Sequence, residues 1–262
     1  MNGYGAALWA ETLKVRRSGL AWLTSFAFLL VPAAGGLFMY ILKDPEGARN
    51  MGLIGTKAQL AAGTADWASL MSMLLQGTTI GGAILLAFFT AWVFGREFSD
   101  HTLKEVLAVP TPRSRIVWAK LTVVAIWALA LPAIAFGVGV LVGLIVDIPG
   151  WGADLVWRSC RSVAEAAAFG LLLLPWVAFF AGVGRGYMPA IGWTFFTVFL
   201  GQIAAVMGWG DWFPWSVPAL ISGAGGSHAA LLGAHSYASV IVTGLAGVVA
   251  TLVWWRSADQ VR

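Results

Sequence analysis

Long stretches without formal charge constrain this chain more than any motif in it. No charge lies between Arg17 and Lys43, between Asp66 and Arg96, or between Lys120 and Asp147. Three more gaps run from Glu165 to Arg185, from Arg185 to Asp211 and from Asp211 to Arg256. A membrane-spanning helix needs roughly 20 apolar residues, so every gap but the last holds one span. The chain is 59% hydrophobic and only 11% charged, against about 25% charged for soluble domains. The expectation is an all-α integral membrane protein with six spans, at about 20–42, 68–95, 118–146, 163–184, 187–208 and 236–255. The bilayer cannot satisfy a bare backbone, so spans of this length are helices rather than barrel strands. The short connections leave no room for a separate soluble domain, and residues 1–262 read as a single transmembrane domain. The 32 glycines let helices approach closely and favour a packed bundle.

Orientation follows from the basic residues. With the N-terminus inside, Lys14, Arg16, Arg17, Arg96, Lys104, Arg113, Arg115, Lys120, Arg185, Arg256 and Arg262 face the cytoplasm. Lys43, Arg49, Lys57, Arg158 and Arg161 face outward. The positive-inside rule therefore puts both termini in the cytoplasm. The net charge of +4 is an orientation signal and does not point to nucleic acid. Residues 1–19 read as an amphipathic interfacial helix. Ala6, Trp9 and Leu13 share one face, with Glu11 and Lys14 opposite, which puts Trp9 at headgroup depth and the basic cluster of Lys14, Arg16 and Arg17 facing lipid phosphates. The apolar run continuing to Leu42 is too long for the core of a cleaved signal peptide.

On the outer side, Arg161 and Glu165 are an i, i+4 pair at the start of span four. They are candidate members of a polar path, together with Gln76 and Gln202 inside the spans; an interfacial ion pair is the other reading. The stretch 212–235 has no formal charge but is broken by Pro214, Pro218, Gly223, Gly225, Gly226 and Gly233. It reads as re-entrant or surface-lying outer helices between spans five and six. His228 and His235 have no carboxylate nearby in sequence, so they read as interfacial histidines and no metal site is expected. Cys160, the one cysteine, has no internal partner and reads as a small packed side chain.

The chain carries no phosphate-binding loop, zinc helix or nucleophile elbow, so it is not expected to be an enzyme. Its chemistry concentrates in the connection 95–120. That segment holds Arg96, Glu97, Asp100, Lys104, Glu105, Arg113, Arg115 and Lys120, eight of the 16 basic and 12 acidic side chains. Thr102-Leu103-Lys104-Glu105 fits a capping box. Leu103, Val106 and Leu107 would share one face of the short helix that follows, and Pro110 and Pro112 would stop it.

The run Arg96-Glu97, His101-Thr102-Leu103-Lys104, Leu107-Ala108-Val109-Pro110, Arg113 and Lys120-Leu121 resembles the ABC-2 type permeases. In these a Glu opens a segment of the form E-x-x-x-x-T-x-x-x-L-x-x-P, followed by a basic residue and a K-L pair opening span three. His101 departs from the glycine usual before the Thr. The six-span layout extends the resemblance over the chain, and it looks nearest to the small bacterial permeases of the bacitracin-resistance and lantibiotic-immunity kind. The resemblance implies a multi-pass protein of the bacterial cytoplasmic membrane. It also implies a dimer with a second or sister permease and two copies of a separate ABC ATPase subunit. ATP and Mg would bind that partner, with no cofactor in this chain. Carried over, the cytoplasmic coupling helix would use Arg96, Glu97, Asp100, Thr102, Leu103, Lys104, Glu105 and Leu107. The interfacial helix with Trp9, Leu13 and Lys14 would lie beside the same groove.

The expected activity is that of a permease subunit of an exporter, moving an amphipathic drug, peptide antibiotic or lipid-like substrate outward by alternating access. The 15 Trp and 15 Phe, without mid-span carboxylates, favour such a substrate over a sugar or ion, which would need hydrogen-bonding partners along its path. An ATP-independent secondary transporter would show an internal repeat and ionisable mid-span residues. An intramembrane enzyme would show a paired nucleophile and base or a metal cluster.

Overall fold

The computed structural model describes residues 3–52, 63–223 and 232–257, with the side chain of Leu107 outside that description. Among the described residues every regular element is helical and there is no strand. A short α1 (Gly3–Arg16) precedes the first long helix, α2 (Gly19–Lys43), and α3 (Pro45–Asn50) follows it. The second long helix consists of α4 (Trp67–Gln76), a π-helical turn (Gly77–Gly81) and α5 (Gly82–Ser99). Then come the short α6 (Leu103–Ala108) and three long helices, α7 (Arg113–Val146), α8 (Ala153–Val183) and α9 (Tyr187–Val206). The short α10 (Val217–Ile221) and the long α11 (Ala234–Ser257) complete the order. Six helices, counting Trp67–Ser99 as one, are long and apolar enough to cross a membrane.

The expected spans fall on these six helices, but three helices outrun them. The second reaches Ser99 rather than 95, the third starts at Arg113 rather than 118, and the fourth starts at Ala153 rather than 163. At 1.5 Å per residue these run to about 50 Å, against a hydrocarbon core of about 30 Å. Charges mark where a helix leaves lipid; they do not end its backbone hydrogen bonding. Arg158, Arg161 and Glu165 accordingly sit within α8. The start of α4 is capped by Asp66, whose carboxylate accepts from the Ser69 amide at 2.8 Å. Hydrogen bonds from the Thr64 hydroxyl and from Ser69 hold this carboxyl below its usual pKa.

Close approach depends on small residues. A Cβ on Gly77 would meet Val31 at 2.6 Å and one on Gly82 would meet Phe28 at 2.8 Å, so α2 packs against both flanks of the π turn. The turn has a local cause: the Thr78 hydroxyl donates back to the carbonyl of Leu74 at 2.7 Å, between glycines that tolerate the extra backbone room. α8 and α11 also pack closely, with Gly244 facing the backbone of Leu172. Pro32, Pro132 and Pro175 lie inside helices. The Thr251 hydroxyl of α11 donates to the Pro175 carbonyl at 3.0 Å, tying α11 to α8 beside the proline.

α1, α6 and the end of α11 gather at one end of the bundle. The Tyr4 and Thr122 hydroxyls bond at 2.8 Å, and Phe98 packs against Trp254 and Trp255. At the opposite end, Lys43 donates to the carbonyls of Val146 and Asp147, closing the C-terminus of α7. There too, five residues of the 212–235 stretch form α10, whose Val217 and Leu220 are buried beside Leu173 and Val240. His228 lies outside the described residues.

A Cβ on Gly244 would fall 2.6 Å from the Leu172 carbonyl oxygen, where no flexible side chain can yield. Gly244→Val is therefore expected to destabilise the α8–α11 pair by about 1–3 kcal/mol, read as a lower melting temperature of the purified protein in detergent.

Candidate functional site

The candidate site begins where α5 ends. The amide of Asp100 closes the helix on the Arg96 carbonyl at 2.8 Å, and the Thr102 amide reaches the Glu97 carbonyl at 3.0 Å. Between them His101 takes φ 58°, a left-handed conformation that glycine adopts freely and histidine tolerates better than most side chains. That explains the departure noted in the sequence: the usual glycine stands where the backbone turns left-handed.

Thr102 is the N-cap of α6, as its sequence predicts, but its side chain makes no capping hydrogen bond. Its ψ of 2° is far from the extended value at which a cap hydroxyl faces the N3 amide. The capping box is thus present in sequence and unformed in structure. Leu103 is buried, whereas Lys104 and Glu105 are exposed, so α6 turns its charged face outward. Arg96 lies over the Trp92 ring at 4.7 Å, with its Nε 4.0 Å from Asp100.

Glu97 departs from its expected place on the docking surface. It is 1% exposed, and its Oε1 accepts from Lys14 at 2.9 Å and from Lys120 at 2.8 Å. Lys120 is fully buried. It also donates to Glu11 Oε2 at 3.1 Å and to the Val93 carbonyl at 2.7 Å. Glu11 in turn accepts from Lys14 at 2.6 Å. Two carboxylates and two ammoniums therefore form a closed, charge-balanced quartet joining α1, α5 and α7.

The quartet adds a partner to the polar face of α1. That face, Glu11 and Lys14, turns into the protein, while Trp9 is 66% exposed and Leu13 is half-buried. Lys14 meets buried carboxylates, not lipid phosphates. Burial works against its charge, but Glu97 and Glu11 outweigh that and hold its pKa above the ordinary lysine value. A raised pKa means that its contribution is complete at neutral pH and is lost only as the pH climbs through the folded value. Sequence reasoning missed Glu11 and Lys120 as members. The signal available was a Lys placed seven residues into α7, at depth rather than at the surface.

A second feature lies deeper in the bundle. A partly open cavity of about 150 Å³ is lined by the π turn and α5, by α8 and α9, by α10 and by Pro132 of α7. Its lining hydroxyls are occupied locally: Thr78 on Leu74, Thr194 on Ala190, Thr197 on Trp193 and Ser216 on Gly201 carbonyls. The wall is therefore apolar in effect, with Thr79 and Gln202 as its other polar residues. Of the candidate polar path only Gln202 reaches this cavity. Gln76 bonds to Ser72 at 3.0 Å within its own helix. Arg161 and Glu165 pair with each other at 2.7 Å, with the arginine side chain 74% exposed. His235 has a carboxylate partner after all, Asp211 at 2.9 Å, brought to it across 24 residues of chain. No cluster of metal-ligating side chains occurs among the described residues.

A family model described as ABC-2 family transporter protein matches residues 7–201, which takes in α1, the quartet, α6 and the cavity walls of α5, α8 and α9. This chain belongs to the ABC-2 transporter family. It is similar to the bacitracin transport permease protein BCRB of Bacillus licheniformis, with 26% identity over 194 residues, 73% of this chain and 89% of that permease. The ABC-2 protein described here is thus a multi-pass permease of the bacterial cytoplasmic membrane and not an enzyme.

Lys120→Met leaves two buried carboxylates facing one lysine. It should destabilise the protein by about 3–5 kcal/mol, measured by thermal melting. His101→Gly relieves a left-handed side chain and should melt at or above the parent temperature, whereas the β-branched His101→Val should melt below it.

Proposed function

We propose that this ABC-2 permease is the substrate-path subunit of a bacterial exporter. It would work with a second permease copy and two copies of a separate ABC ATPase, which bind ATP and Mg. The observation that carries the reading is α6, a short helix with an exposed charged face between two helices that both outrun the bilayer. With both termini cytoplasmic, α6 lies where a soluble ATPase can reach it. Lys104 and Glu105 would make the outer contacts, together with Asp100, and Leu103 would seat the helix on the bundle. Arg96 and Thr102 shape the connection, and Glu97 and Lys14 act from beneath it. Leu107 belongs to the same proposed coupling segment.

ATP-driven closure of the ATPases would push α6, and the push would pass along α5. The ten residues from Ala87, at the cavity, to Glu97 amount to about 15 Å of continuous helix. The energy comes from the differential affinity of ATP for the two arrangements, since a ligand shifts an equilibrium only by that difference. The substrate proposed is amphipathic: a peptide antibiotic, drug or lipid-like molecule. A largely apolar cavity, four of whose hydroxyls are bonded to the backbone and which otherwise presents only Thr79 and Gln202, offers a polar solute little in exchange for its water.

Co-purification from the native membrane tests the assembly. An ABC ATPase should accompany the parent, and Lys104→Glu with Glu105→Lys should reduce its recovery at least about tenfold while membrane level is kept; full recovery would refute docking at α6. Orientation is tested by Trp209→Cys in a Cys160→Ser background. Trp209 is exposed at the end opposite α6, so an impermeant thiol reagent should label it from outside cells, and labelling only from the cytoplasmic side would reverse the topology.

A further inference from the structure

We propose that α1 is a releasable latch on the α6 end of the protein, with Glu11 and Lys120 as its positioning residues. Its use in transport rests on the function proposed above, but its structural content stands on the permease alone.

The quartet divides into two neutral pairs along the line where α1 meets the bundle. Glu11 and Lys14 both belong to α1 and bond at 2.6 Å. Glu97 and Lys120 belong to α5 and α7 and bond at 2.8 Å. Two ion pairs of the quartet cross the line, Lys14 to Glu97 at 2.9 Å and Lys120 to Glu11 at 3.1 Å, and the Tyr4–Thr122 hydroxyl bond at 2.8 Å is a further, neutral contact between α1 and α7. Lifting α1 away therefore strands no net charge on either side. Had α1 brought a lone lysine or a lone glutamate, release would leave an uncompensated charge in a dry site, which is the costly event for buried ions.

The hydrogen bonds carry the same division. Lys120 has three donors, and they go to Glu11 Oε2, Glu97 Oε1 and the Val93 carbonyl. Glu97 Oε1 receives both lysines, while its Oε2 is buried without a partner among the described residues. That oxygen is a spare acceptor beside Lys120. When Glu11 leaves, the freed Lys120 proton can turn to it. The docked state thus carries the unsatisfied atom that the released state would fill. The apolar anchor opposing release is small: Val15 is buried in the core and Leu8 packs against it, while Tyr4 and Trp9 are exposed. Glu97 lies within two turns of the start of α6, so movement of α6 reaches the spare acceptor directly.

The test uses the permease in lipid nanodiscs with Cys160→Ser and one new cysteine. Val15→Cys sits under α1, and Val117→Cys sits in α7 near the same end; both parent valines are buried. A polar thiol reagent should label Val15→Cys at least about tenfold faster than Val117→Cys. Inverting α1 alone, Glu11→Lys with Lys14→Glu, keeps each half neutral but sets like charges across the line. It should speed Val15→Cys by a further factor of about ten and leave Val117→Cys slow. Equal rates in the parent, or both positions accelerating together on inversion, would show that α1 is a fixed part of the fold and overturn the latch.

Discussion

Four ionisable side chains, three of them buried and Lys14 27% exposed, bond to one another, and the end of the bundle that holds α6 is organised around them. Moving a carboxylate or an ammonium out of water costs several kcal/mol even after relaxation, so none of the four could be buried alone. Lys120 draws α5 and α1 onto α7 because its three donors need acceptors from both. Glu97 holds its place because two lysines converge on one of its oxygens. The position of α6 follows, since the left-handed turn at His101 hangs the short helix from the C-terminus of α5.

α5 connects the quartet with the cavity. Its far end flanks the π turn and lines the apolar cavity, and its near end carries Glu97. A continuous helix transmits displacement along its axis, whereas a π turn between two glycines is a place where a helix can change its winding. The second span is therefore stiff from the quartet to the cavity and adaptable at the cavity itself. This is the arrangement expected of an element that converts a push at one end into a change of shape at the other.

Packing in the bundle rests on missing side chains as much as on present ones. Gly77 and Gly82 admit Val31 and Phe28 of α2, and Gly244 lets α11 touch the backbone of α8. Lipid tails are as apolar as leucine, so membrane helices gain from contact area rather than from escaping water. Small residues at the crossings supply that area. The exposed aromatic and aliphatic faces of α2 and α9 are what such a bundle presents to lipid or to another copy.

The six spans were legible because hydropathy is a property of consecutive residues, and charge-free runs near twenty residues have one stable solution in a bilayer. The α6 segment was legible for the same reason: Thr102, Leu103 and Pro110 are local signals. Helix ends were less so, since Arg158 and Glu165 leave lipid without leaving the helix. The site was legible in part. Glu97 was singled out as a coupling residue and Lys14 as part of the interfacial helix, but both were read as surface groups. Glu11 and Lys120 stand 109 residues apart, and Asp211 meets His235 across a stretch broken by proline and glycine. Sequence alone determined which segments are long and apolar enough to cross a membrane and where charge concentrates between them, because those depend on neighbours in the chain. Which charges are buried together was decided only by tertiary structure, because the cost of burying an ion is set by the partner that packing brings to it from elsewhere.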